Sequence, residues 1–158
     1  MFKKTLARMA IATALVTAVV IPTAAQAAPA SAATAVESAT CTGIYPGLDQ
    51  TRSSGSPTCG FWWAVQSNEA YDGGYRGPWN GTMGVNSWMG VQRYLNNANG
   101  AGLVVDGQPG PATYRAIQRH INLRAAYTPE IRPVSVDGIL GPNTYKGWSF
   151  VLMMEQRG

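Results

Sequence analysis

The sequence predicts an all-α protein: a small three-helix bundle whose helices open on a repeated Asp-Gly-x-x-Gly-Pro phrase, preceded by an irregular, disulfide-closed segment. Three observations carry this. The phrase "VDGQPGPATY", from residue 105, returns as "VDGILGPNTY" from residue 136, with a degraded copy, "NGTMGVNSWM", from residue 80. Each copy runs into apolar residues at i, i+3 and i+7, the spacing of one helix face. The connections hold glycines and prolines that stop helices, and the short apolar pieces "LVV" and "VSV" are too small to found a sheet.

The first residues are expected to be a targeting segment rather than structure. Lys3, Lys4 and Arg8 precede an apolar run over residues 9–21, and Pro22 leads to "AQA" at 25–27, a signal-peptidase pattern. Cleavage is expected after Ala27. The run is too short to span a bilayer comfortably, and no longer one follows, so the mature chain is expected to be exported, extracellular or wall-associated, and free of the membrane. Removing residues 1–27 leaves nine Lys and Arg against eight Asp and Glu, where the full chain has twelve against eight. Nucleic-acid binding, which needs a clustered basic surface, thereby loses its main support.

Residues 28–40 are Ala, Ser, Thr and Pro with one charge, Glu37, and read as a flexible leader. Residues 41–79 form the second segment. Over 41–60, Gly, Pro, Ser and Thr leave no helical or strand period, so an irregular loop is expected. Cys41 and Cys59 are the two cysteines, and in an oxidising milieu they are expected to pair, which stabilises by roughly 3 kcal/mol in the chain-entropy model. A metal site would need more ligands than two Cys and the single His120 provide; a Cys–His catalytic pair is the other competing reading. "FWWAVQSNEAY", residues 61–71, is a short helix whose "AVQ" suggests a partial extra repeat.

From residue 80 to 158 the period is clear. Asn-Gly or Asp-Gly makes a tight turn, in which Gly tolerates positive φ and the Asx side chain bonds nearby amides. Thus Asp106-Gly107 and Asp137-Gly138 are turn-formers. Gly84, Gly110 and Gly141 serve as N-caps, and Pro111 and Pro142 take the first helical position, where a missing N–H costs nothing. The expected core faces are Trp88, Val91 and Leu95; Tyr114, Ile117 and Ile121; and Tyr145, Trp148 and Leu152.

These residues resemble a known family. "VDGILGPNTY" looks like the D-G-x-x-G-P-x-T phrase of the peptidoglycan-binding domain type 1, and "VQRYLNN" resembles its V/L-Q-x-x-L-N pattern. The family is a small three-helix module common in exported bacterial wall enzymes, and the resemblance covers about residues 80–158. The chain departs from it in having Gln108-Pro109 where the family has an apolar residue, Ile117-Gln118 where it has Phe-Gln, and a longer link around residues 125–133.

The resemblance implies a secreted, non-catalytic protein whose partner is peptidoglycan, with no cofactor. Glycan rings offer apolar faces to aromatics, and stem peptides offer carboxylates to Arg. Trp62, Trp63, Trp79, Tyr75, Tyr94 and Tyr127 lie outside the expected core stripes and are candidate platforms; Arg93, Arg115 and Arg119 are candidate carboxylate partners. A protein-binding role, as inhibitor or regulator of a wall or extracellular enzyme, is the alternative. A peptidoglycan hydrolase is disfavoured. Glu69 and Asp72 would lie on one helix face instead of flanking a bond, and His120 sits inside a repeat helix, on its solvated face or satisfied within it.

Overall fold

The computed structural model describes Cys41 and residues 47–156. The expected signal segment, the leader and residues 42–46 lie outside them. The described chain is helical, with no strand: α1 (Leu48–Ser54), α2 (Cys59–Val65), α3 (Val85–Asn99), α4 (Pro111–Ala125) and α5 (Pro142–Glu155). A π-helical stretch, Gln66–Ala70, carries α2 on to residue 72. Cys41 and Cys59 are joined in a disulfide, as expected.

The three helix starts form as the sequence dictates. Gly84, Gly110 and Gly141 are the N-caps, with Pro111 and Pro142 first in their helices. All nine expected core residues are buried.

The segment before residue 80 differs from expectation. Where an irregular loop was expected over 41–60, α1 and the start of α2 form, and the helix expected over 61–71 continues α2; the segment holds a fourth copy of the helix start. Ser54-Gly55, Asn80-Gly81, Asp106-Gly107 and Asp137-Gly138 recur at intervals of 26, 26 and 31 residues. In each, the first side chain accepts the amide two residues on: Ser54 from Ser56 (3.0 Å), Asn80 from Thr82 (3.0 Å), Asp106 from Gln108 (2.8 Å) and Asp137 from Ile139 (2.9 Å). In each, the glycine has a left-handed φ, between 72° and 80°. Every turn opens a helix whose fourth residue is a buried aromatic: Trp62, Trp88, Tyr114 or Tyr145. Trp62 is therefore core, where the sequence had placed it outside. Its ring meets Trp88 and Tyr145 edge-on at 5.9 and 6.0 Å.

Three buried glutamines lock the last three turns. Gln66, Gln92 and Gln118 each accept the turn glycine's amide on Oε1, at 2.8, 2.8 and 2.9 Å. Each Nε2 donates forward to the Asx oxygen, to the carbonyl two residues later and to the Ser or Thr in the next helix. For Gln118 these are Asp137 at 2.6 Å, Ile139 at 2.9 Å and Thr144 at 3.3 Å. The Gln92 clip is looser, reaching the Gln108 carbonyl at 3.4 Å, at the copy where Gln108-Pro109 departs from the apolar pattern. At the first turn the Thr51 carbonyl replaces the glutamine, accepting the Gly55 amide at 2.8 Å. In α5 Ser149 holds the equivalent place and donates to Lys146 in its own helix, since no described turn follows.

Each turn rests on the start of a neighbouring helix. A Cβ on Gly81, Gly107 or Gly138 would fall within 3.0 Å of the carbonyl of Cys59, Val85 or Pro111, the first residues of α2, α3 and α4. A Cβ on Gly55 would meet the carbonyl of Pro142, first in α5, at 2.9 Å. The first turn thus rests on the last helix, and α2–α5 close into a ring. Behind the turns, Asn96 clamps the Leu103 backbone and Asn122 that of Val134. Those clamps span 7 and 12 residues, so the expected insertion adds five between Asn122 and Val134.

Gln118→Ala would leave the buried Gly138 amide and the Asp137 turn without their partner. An unsatisfied buried donor costs roughly 1–3 kcal/mol, and the vacated volume adds to it. Urea unfolding is expected to show a loss of at least about 2 kcal/mol. A loss below about 0.5 kcal/mol would show that the clip does not hold the turn.

Candidate functional site

The five inserted residues shape the larger of two grooves. Residues 130–135 face the Asp137–Ile139 turn and the first two turns of α5, and Arg52 of α1 closes one end, enclosing about 670 Å³. Two features let the walls approach. Gly147 is kept small, since a Cβ there would lie 2.8 Å from Ile121 and 3.4 Å from Val134. Buried Ile131 anchors the inserted loop in the core, which turns Glu130 and Arg132 outward.

The groove's charge is mainly positive. Arg132 is exposed, Lys146 half-buried, and Arg52 pairs with Asp49 at 2.8 Å while its guanidinium sits 5.1 Å above the Phe150 ring. Of the two acids, Asp137 is already engaged. The Gln118 hydrogen bond, then the Ile139 amide, hold its carboxyl below the usual carboxylate range. Asp106, in the preceding turn, is held low in the same way by the Gln108 amide and by Gln92.

The expected ligand residues separate into several places. Arg115 and Arg119 are exposed on α4 and line a second groove of about 510 Å³. Trp63 and Trp79 meet edge-on at 6.0 Å, and Trp79 meets Tyr71 at 5.7 Å, with the Arg76 guanidinium 4.1 Å over Tyr71. This ledge is partly open, Trp79 being 43% exposed. Tyr127 stands almost fully exposed, and Arg93 donates to the Gly73 carbonyl at 3.4 Å. Tyr75 is buried, its hydroxyl donating to the Pro78 carbonyl, which corrects the expectation that it lies outside the core.

Tyr94 belongs to a buried polar cluster that sequence reasoning missed. Glu69 falls at the helix position that Leu95, Ile121 and Leu152 hold in the other copies, and it is 1% exposed. Both its oxygens accept the Trp148 indole N–H, at 2.8 and 2.9 Å. His120, also buried and so not on a solvated face, has Nε2 3.9 Å from Glu69 and 3.8 Å from Glu155, with Asn99 on Nδ1. Tyr94 donates to Glu155 at 2.9 Å, and Arg124 donates to the same oxygen. The 26-residue spacing of Glu69 and Leu95 is the signal that could have placed Glu69 in the core.

Burial pushes the Glu69 carboxyl well up, and the Glu155 charge pushes it further. Burial also acts to raise Glu155, but hydrogen bonds from His120 and Tyr94 outweigh it and hold that carboxyl low. Burial, with Glu69 and Glu155 nearby, raises Tyr94. Glu69, His120 and Glu155 bring one ligand atom each within 4.8 Å of one another, and are the group among the described residues that could hold a metal ion. A raised carboxyl beside an imidazole is also an acid–base pattern. Here, however, Glu69 and His120 are sealed in the core, and no cluster member lines either groove.

The chain matches no protein-family model, no curated protein and no solved structure.

The raised Glu69 has a definite pH consequence. Between the ordinary carboxyl value of 4.5 and its folded value, the unfolded chain has lost a proton that the folded chain keeps. Stability therefore falls as pH rises above about 4.5, by up to about 1.4 kcal/mol per unit from this group. Glu155, being lowered, acts below 4.5, outside that window. Glu69→Gln keeps an acceptor for Trp148 and should remove the slope. Thermal melts of both proteins from pH 4.5 to 7 should diverge, the variant gaining relative to the parent; parallel curves would refute the assignment.

Proposed function

We propose that the protein is a secreted, non-catalytic peptidoglycan-binding protein, whose helical ring includes a three-helix peptidoglycan-binding-like unit over α3–α5. The carrying observation is the groove at α5, which Arg52, Arg132 and Lys146 line together with a half-buried Phe150. Cations beside an apolar ring suit a stem peptide, whose carboxylates pair with Arg and Lys while its aliphatic side chains cover the aromatic. Export agrees with the disulfide.

The same groove favours binding over hydrolysis. Glycoside cleavage needs two carboxyls free to flank a bond, and Asp137 is already engaged by Gln118 and the Ile139 amide of its turn. The ledge of Trp63, Trp79 and Tyr71 supports a second reading, docking onto a wall or extracellular enzyme, because exposed aromatics beside an Arg are typical anchors of protein interfaces.

Mature protein mixed with insoluble sacculi is expected to pellet at low and moderate salt. Arg132→Glu with Lys146→Glu should weaken binding roughly tenfold, consistent with about 1.4 kcal/mol from two reversed contacts. Protein that stays in the supernatant contradicts the reading, and loss of turbidity in the same tube would favour a hydrolase instead.

A further inference from the structure

The two grooves are one site built twice. Adding 31 to residues lining the groove on α4 gives residues lining the groove on α5: Leu103 becomes Val134, Asp106 becomes Asp137, Pro111 becomes Pro142 and Arg115 becomes Lys146. The walls correspond because equivalent clips hold them, Gln92 and Asn96 in one copy, Gln118 and Asn122 in the other. The cation on the second helical turn is kept, as Arg115 or Lys146.

We infer that the groove formed by Leu103, Asp106–Gly107 and the start of α4 is a second binding site for peptide carboxylates, which makes the chain bivalent for peptidoglycan stem peptides. This rests on the wall-binding reading above. The free charge in the second groove is positive. Asp106 is taken up by the Gln108 amide and Gln92, whereas Arg119 is exposed and makes no ion pair among the described residues.

The copies differ in a way that sets the ligand. Arg119 stands where the α5 groove has Phe150, and the five inserted residues are missing, so the volume falls from about 670 to about 510 Å³. The smaller groove takes a bare carboxylate terminus, and the larger one a carboxylate with aliphatic neighbours. The turn at Asn80 makes no third site. Met89 replaces the cation there, and the Tyr75 ring fills the wall, with its hydroxyl 2.5 Å from where a Cβ on Gly77 would lie.

Two sites on one chain raise affinity for a polymer by effective concentration, without any new contact. The test is amide NMR of the mature protein titrated with soluble muropeptides bearing free C-terminal carboxylates, alongside sacculus pelleting. Two groups of amides are expected to shift: residues 102–104 with 112–115, and 134–135 with 143–147. Arg119→Glu should abolish the first group, leave the second, and weaken sacculus binding at least tenfold; Arg119→Ala gives the same pattern if the charge reversal fails to fold. Shifts confined to the α5 group, with pelleting unchanged in the Arg119 variants, overturn bivalency and leave wall binding standing. Shifts in neither group while sacculi still pellet overturn the second site as well. Failure to bind either fragment or sacculi removes the wall-binding reading and this inference with it.

Discussion

A buried primary amide that closes the turn ahead of it is the interaction on which this structure depends. The amide of Gln66, Gln92 or Gln118 must accept from a buried glycine N–H and donate toward an Asx oxygen and a carbonyl at the rim of the core. A glutamate has no donor for the second task, and a methionine of similar length satisfies neither. Because a glycine lies at each point of contact, the turn drops onto the first residue of the neighbouring helix. Repetition of that contact, including the last one between Gly55 and Pro142, is what makes a closed ring of short helices none of which could bury its face alone.

The grooves follow from the same device. With a turn pinned to one helix start and its preceding segment clamped by Asn96 or Asn122, the space between segment and helix is fixed in shape. What varies is the lining: five extra residues and Phe150 at one copy, Arg119 at the other, and Tyr75 at a third, where the space is filled. The interior shows the same economy of substitution. Glu69 replaces an aliphatic residue, and Trp148, at the place held by Val65, Val91 and Ile117, supplies the N–H that meets it. Glu69 stays there at a cost in ionisation that the rim carboxylates, held low by their turns, do not bear.

Much of this was legible in the residues. Asx-Gly placed the starts of α3, α4 and α5, with Gly-Pro at the last two, and the i, i+3, i+7 apolar residues gave their buried faces. Ser54-Gly55 is harder to read as the same turn because serine stands for Asx, and Thr58-Cys59 stands in place of Gly-Pro. Without that copy, Trp62 falls outside the expected core stripes, although it precedes Trp88 by the same 26 residues that separate Trp88 from Tyr114. Of the polar cluster, only the core position of Glu69 is legible, from its spacing to Leu95. Glu69, Tyr94, His120 and Glu155 come from four helical segments, and only the closed ring brings them together. Of the expected ligand residues, Arg115 and Arg119 line a groove, whereas Arg132, Lys146 and Phe150 come together only because the inserted loop folds over α5.

Hydrogen exchange at three backbone amides tests the central claim most directly. The N–H groups of Gly81, Gly107 and Gly138 sit in turns next to solvent-exposed residues yet are buried and bonded to the three glutamines. If those clips hold the ring, all three amides should exchange only through global unfolding, with the same protection as the α3–α5 core. Exchange orders of magnitude faster than the core, as for an ordinary surface turn, would contradict it.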